Sequence, residues 1–122
     1  MPDPKGANSG SSVVPSIRRA GDAVIASLRG DIDLHNSPQV RTALLKFVDD
    51  NKPKKLVLNL GEVPYMDSSA IAVLVEALQK MRKTGGKVFL TNLQPRVKGL
   101  LEIARLDSIF SVAATEQDAL AK

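Results

Sequence analysis

The chain has no cysteine and no tryptophan, and only one tyrosine, three phenylalanines and one histidine. Without cysteine there are no disulfides, no thiolate metal ligands and no sign of an oxidising compartment. His35 has no second ligand at a useful spacing, so it reads as a surface or turn residue and no metal or cofactor is called for. With so few aromatic rings the core must be built from Leu, Val, Ile and Ala, and stacking platforms for nucleic acid are nearly absent. No apolar run is long enough to span a bilayer, and the N-terminus lacks a signal-peptide core, so the expectation is a cytoplasmic protein without membrane contact. What remains is an ordinary globular composition: 122 residues, 43% apolar and 25% charged, enough for one domain with one core. The net charge of +4 fits either a solvated basic surface or attraction to an acidic partner.

The chain is organised around residues 56–82. Leu56-Val57-Leu58-Asn59-Leu60 is a nearly continuous apolar run, the pattern of a strand buried on both faces of a parallel sheet. Gly61 and Pro64 mark a loop. After Asp67-Ser68-Ser69 the period becomes helical, with Ile71, Leu74, Val75 and Leu78 on one face and Glu76, Gln79, Lys80 and Lys83 opposite. Asp67 or Ser68 is positioned to cap that helix. Two hydroxyls and a carboxylate thus sit where free amides and the positive dipole end attract anions. A helix cap is the commonest use of such a triplet, and on its own it says no more. Lys80, Arg82, Lys83 and Lys87 gather around the far end, where cations meet the negative dipole.

Residues 1–12 are rich in Pro, Gly, Ser and Asn and read as a disordered leader, with the domain proper over 13–122. Residues 13–19 and 23–29 are strands joined by a Gly21-Asp22 turn, too short for a crossover and therefore antiparallel. In the second, Val24, Ala26 and Leu28 alternate with Ile25, Ser27 and Arg29, which suggests burial mostly on one face. Asp31 and Asp33 read as turn residues rather than paired catalytic carboxylates. Ser37-Pro38 opens a helix with Ser37 as cap and Val40, Leu44, Phe47 and Val48 buried, ending at Asn51 and Pro53. Gly85-Gly86 ends the second helix, and residues 87–91 form another strand. Pro95 opens a third helix with Val97, Leu100, Leu101 and Ala104 on one face. A short strand over 109–112 follows, and Thr115 to Asp118 has capping-box spacing for a terminal helix. Strand–helix alternation implies an α/β domain whose sheet is mostly parallel, with an antiparallel N-terminal edge strand and about four helices.

These segments resemble the STAS domain of bacterial anti-sigma factor antagonists, also called anti-anti-sigma factors. The resemblance rests on residues 30–34 (Gly-Asp-Ile-Asp-Leu), on 56–60, and on 63–69 (Val-Pro-Tyr-Met-Asp-Ser-Ser). It continues through 86–90, Asn92-Leu93 with Pro95, and Glu116 with Asp118-Ala119-Leu120. It implies that Ser68, the first serine after the aspartate, is phosphorylated by a partner anti-sigma factor that is also a serine kinase. The unphosphorylated protein would bind that kinase and free the sigma factor, and a serine phosphatase would reset it. The partner contact implied comprises Asp33, Tyr65, Met66, Asp67, Ser69 and Ala70. The family's pattern usually has Gly where Ala70 stands, and often Asp where Asn59 stands; the extra methyl at Ala70 would narrow the approach of a partner backbone.

By the residues alone, Ser68 makes a poor catalyst but a reasonable substrate. A serine hydroxyl is a weak nucleophile without a base, and none is evident, so a partner must bring ATP, Mg²⁺ and the base. Two rival readings stay open. One is a STAS subunit that docks, unphosphorylated, on an ABC transporter ATPase or a signalling assembly. The other is a nucleotide-binding protein that holds phosphate on the amides at Ser68 and Ser69, although the sequence has no Gly-rich phosphate loop with its lysine.

Overall fold

The computed structural model describes residues 16–122. The expected leader and the first residues of the expected first strand lie outside the described residues. The first described strand, β1, spans Ser16–Ala20, and a Gly21 turn with φ of 63° returns the chain as β2, Ala23–Arg29. Then come α1 (Ser37–Asn51), β3 (Lys55–Glu62), α2 (Ser68–Lys83), β4 (Lys87–Thr91), α3 (Pro95–Ile103), β5 (Ser111–Ala113) and α4 (Glu116–Ala121). The sheet order is β1-β2-β3-β4-β5, with β1 antiparallel to β2 and every other pair parallel. This is the mixed sheet with an antiparallel edge strand that the turn lengths require.

Each parallel strand lies next to the one before it, so three crossovers of one hand deliver α1, α2 and α3 to the same face. There Val40 and Leu44, Leu74 and Met81, and Val97 and Leu101 close over Val24, Leu56, Leu58, Leu60, Val88 and Leu90. The opposite face has a smaller core, Ile25, Val57, Phe89 and Ala113, closed by Ala119 of α4. This second layer corrects one reading of β2. Ile25 is buried as deeply as Val24, because α4 covers the face that the alternation seemed to leave wet. Residues 56–60 are covered on both faces as expected, and β3 runs two residues further, through Gly61 and Glu62.

Two boundaries and one buried face differ from the sequence reading. Ser37 is the first residue of α1 and not its cap; Asn36 holds the cap position, its side chain engaged with the Asp33 amide and the Asp31 carbonyl. The buried arc of α2 is Ala70, Val73, Leu74, Ala77, Leu78 and Met81, with Ile71 and Val75 only half-buried, because the helix is wedged between sheet and α1. The last strand begins at Ser111, since Ile109 and Phe110 first close a turn on the Leu106 carbonyl. Ala104 lies exposed just past α3.

Candidate functional site

Two loops leave neighbouring parallel strands at the same end of the sheet, and they remain paired after the strands stop. Gly30 N donates to the Glu62 carbonyl (2.8 Å), Ile32 N to Tyr65 O (3.1 Å), and Asp67 N to Ile32 O (3.2 Å). Ile32 and Met66 form an isolated parallel bridge, and both side chains are buried in the main core. The chain is thereby held in one shape up to the first turn of α2. Gly30 lies at φ 81°, a backbone state that costs glycine little, where β2 passes into the paired loop.

Asp67 fastens the two loops and the helix together. One carboxylate oxygen accepts from Ser69 N (2.8 Å) and Ala70 N (3.2 Å), the standard cap of a helix start. The other accepts from Leu34 N (3.0 Å) in the neighbouring loop. Of the two candidate caps, Asp67 is therefore the one used. Asp33 closes the turn ahead of α1, where its Oδ1 accepts from His35 N (2.9 Å) and Asn36 N (3.3 Å). His35 is an exposed turn residue.

Ser68 is the first residue of α2 and is exposed, whereas Ser69 is half-buried. Around them the implied contact residues divide. Tyr65 is 39% exposed, but Met66 and Ala70 are 1% and 2% exposed and belong to the core. The methyl of Ala70 therefore points inward and not toward a partner. Leu34, a residue that sequence reasoning did not select, is 74% exposed on the loop held by Asp67. No sequence signal marked it, since alternation from buried Ile32 would place Leu34 inward as well. The turn at Asp33 reverses that phase.

Carboxylates crowd the two loops, while exposed Arg96 and Lys98 stand in the first turn of neighbouring α3. The carboxylates are Asp31, Asp33, Glu62 and Asp67, and Arg29 is occupied by Glu62 (3.4 Å). Among the described residues no group of three or more His, Asp or Glu is arranged to hold a metal ion.

A second polar cluster ties α4 to the sheet. Glu116 accepts from Asn59 Nδ2 and pairs with Arg18, while Asn59 Oδ1 accepts from Gly61 N (2.8 Å). An Asp in place of Asn59 would set two carboxylates against each other, so the amide here matches Glu116. The Asn59 hydrogen bond is the chief reason the Glu116 carboxyl titrates below the usual range; burial opposes it and Arg18 adds to it. Gln94 Nε2, at the start of α3, donates to Gly61 O (2.8 Å). The network thus steadies the stem of the loop that carries Ser68.

Comparison with known proteins agrees with this geometry. The STAS domain family model matches residues 14–119. An anti-sigma-B factor antagonist of Listeria monocytogenes is 31% identical over 98 residues, covering 80% of this chain and 85% of the relative. An anti-sigma factor antagonist from Mycobacterium paratuberculosis superposes with a TM-score of 0.82 at 24% identity, over 91% of this chain and 93% of that one. The Bacillus protein SpoIIAA, solved in a phosphorylated form, matches with a TM-score of 0.69 at 19% identity, over 88% of this chain and 97% of its own. The paired loops, the capped helix and the family match over nearly the whole chain lead to one conclusion: the chain belongs to the STAS domain family.

Proposed function

We propose that this protein is an anti-sigma factor antagonist that binds a partner anti-sigma factor through the Ser68 end of the domain and is released when that partner's kinase activity phosphorylates Ser68. The observation that carries the reading is the setting of Ser68. It is an exposed hydroxyl on a rigid platform, next to a carboxylate that has already taken the first amides of the helix. Curated relatives named for this role, and the existence of a phosphorylated form of SpoIIAA, support it.

The chemistry asks little of this chain. The kinase moves the γ-phosphoryl group of ATP onto Ser68 Oγ, its own base takes the hydroxyl proton, and ADP leaves. The capped helix start presents the Ser68 hydroxyl to solvent, with Leu34 and Tyr65 offering exposed apolar surface at the same end. The phosphate then adds about −1.5 to −2 charges at neutral pH. The Ser69 and Ala70 amides are occupied by Asp67, so the new charge stands beside a carboxylate and finds those two amides already taken. The same occupancy counts against the reading in which these amides cradle a nucleotide. An interface closed over Ser68 would have to desolvate a dianion beside Asp67, and it opens while the fold stays intact.

The test is a titration of the anti-sigma factor with wild type, Ser68→Ala and Ser68→Asp. The expected result is tight binding by the first two and at least about 100-fold weaker binding by the third, about 2.8 kcal/mol, with all three equally stable. Equal binding by Ser68→Asp would remove the switch. Binding to a transporter ATPase instead would favour the unphosphorylated docking role.

A further inference from the structure

Strand β3 outruns its neighbour β4 at the end where Ser68 lies. The last β3–β4 pair is Asn59 with Thr91, and Gly61 lies past it. Side chains take the place of the missing strand. Asn59 Oδ1 accepts from Gly61 N (2.8 Å), and Gln94 Nε2 donates to Gly61 O (2.8 Å). A Cβ on Gly61 would stand 3.1 Å from Asn59 Oδ1 and 3.1 Å from Asn92 Cβ, so the loop stem is closely held. Asn59 Nδ2 in turn donates to Glu116 in the first turn of α4. The far end of α4 is fixed separately. Lys55 Nζ, at the start of β3, donates to the carbonyls of Ala119 (2.8 Å) and Leu120 (3.2 Å).

One buried polar atom stands outside this arrangement. Among the described residues, Thr91 Oγ1 is the one buried side-chain polar atom without a hydrogen-bond partner, on a residue 0% exposed. A hydroxyl left in that state costs stability. Thr91 is the register partner of Asn59, and both project from the α4 face, two residues on from Phe89 and Val57. Adjacent strands lie about 4.8 Å apart, so an Asn59 amide turned toward β4 reaches that hydroxyl. An amide turned that way gives up Gly61 and Glu116. Asn59 thus has two seats: one holds the loop stem and α4, and the other satisfies Thr91.

We propose that Asn59 is a positioning residue for Ser68, acting through Gly61, and that docking of α4 through Glu116 sets which seat Asn59 takes. With α4 docked, Glu116 holds the amide on the Gly61 side, and the Ser68 loop keeps the shape that the kinase binds. With α4 released, Asn59 turns to Thr91, Gly61 N loses its acceptor, and the loop spends part of its time in other shapes. Helix α4 is six residues long and closes a core of only a few side chains, so it opens at less cost than the domain unfolds. The Ser68 loop therefore responds to events at α4 through an element with two arrangements that both sites bias. The kinetic consequence rests on Ser68 as phosphoacceptor; the coupling between α4 and the loop does not.

Two measurements on the full chain test it: amide spectra of the ¹⁵N-labelled protein, and steady-state phosphorylation by the anti-sigma factor kinase. Lys55→Met and Glu116→Ala, neither in the Ser68 loops, should each shift the amides of Gly61, Ser68 and Ser69. Each should raise KM several-fold with kcat unchanged, because only the competent fraction of the protein binds the kinase. Asn59→Ala should raise KM about tenfold for the same reason. Thr91→Val removes the second seat, so adding it to Lys55→Met or Glu116→Ala should return the amides and KM toward wild type, a non-additive pair. Val48→Ala, in the core under α1, should lower the melting temperature and leave KM alone. Unmoved Ser68 and Ser69 amides in both α4 variants, a Thr91→Val that rescues neither, or a KM that rises in Val48→Ala as well would each overturn the proposal. If the kinase leaves Ser68 unlabelled even in wild type, the Ser68 reading fails, and the amide shifts still decide the coupling.

Discussion

At the end of the sheet where Ser68 lies, β2 and β3 run into loops that stay hydrogen-bonded to each other up to Asp67, and carboxylates gather on them. At the other end, short turns after α1 and α2 bring the chain straight back into the sheet. Lys54 N donates to Asp22 O there, Lys87 N to Lys54 O, and lysines and Arg82 dominate the surface. Gly86 marks how close that packing is, since a Cβ on it would sit 2.6 Å from the Met81 methyl and 3.3 Å from the Lys54 carbonyl. Both ends are rigid, but by different means. The basic end is rigid because backbone is packed against backbone. The Ser68 end is rigid because a few side chains, Asp67 above all, hold loops that project from the sheet. A site built the second way can present a hydroxyl and an apolar contact to a partner, and it depends on single residues.

The sharpest way to break that contrast is at Asp67. Asp67→Ala removes the cap on Ser69 and Ala70 and the bond to Leu34, and should cost about 2 kcal/mol in urea denaturation. Lys87→Ala at the opposite end should stay within about 0.5 kcal/mol of wild type. A smaller effect is expected at Leu34. Leu34→Ala should weaken anti-sigma factor binding about tenfold, or 1.4 kcal/mol, with no loss of stability, since the side chain touches little of its own fold. Titration calorimetry of the pair would show it.

The third prediction concerns the network at the loop stem. Glu116 has a lower pKa folded than unfolded, so the folded state binds fewer protons there. Its contribution to stability is complete above the unfolded value near about 4.3, and is lost as pH falls through the folded value. Glu116→Gln should flatten that acid limb, which a series of melting temperatures from neutral pH downward would resolve. Smallest of all, removing residues 1–12 should change Tm by no more than about 2 °C, because their composition offers almost nothing apolar to bury. A larger fall would place those residues on the domain.

The order of elements and the antiparallel edge could be read from turn chemistry and the change of period, because Gly21-Asp22, Pro38, Pro95 and Thr115 each act locally. What could not be read came from distant neighbours. Nothing near Ile25 announces that α4, ninety residues later, will cover it. Met66 and Ala70 looked available because they flank Ser68, yet their side chains fill the core under the loop. Leu34 was missed for the converse reason, since its exposure depends on a turn made by Asp33 and Asn36. The cap at Asp67 was legible from its own neighbourhood; the surface around Ser68 depended on packing.

The central claim is that Ser68 is the phosphoacceptor on this surface. Incubation of the protein with its anti-sigma factor kinase, ATP and Mg²⁺, followed by mass spectrometry of the peptide that carries both serines, tests it directly. The account predicts one phosphate, on Ser68, with the complex dissociating as it appears and Ser69→Ala behaving as wild type. Phosphate on Ser69, or a kinase that binds the protein and leaves both serines unmodified, would contradict it.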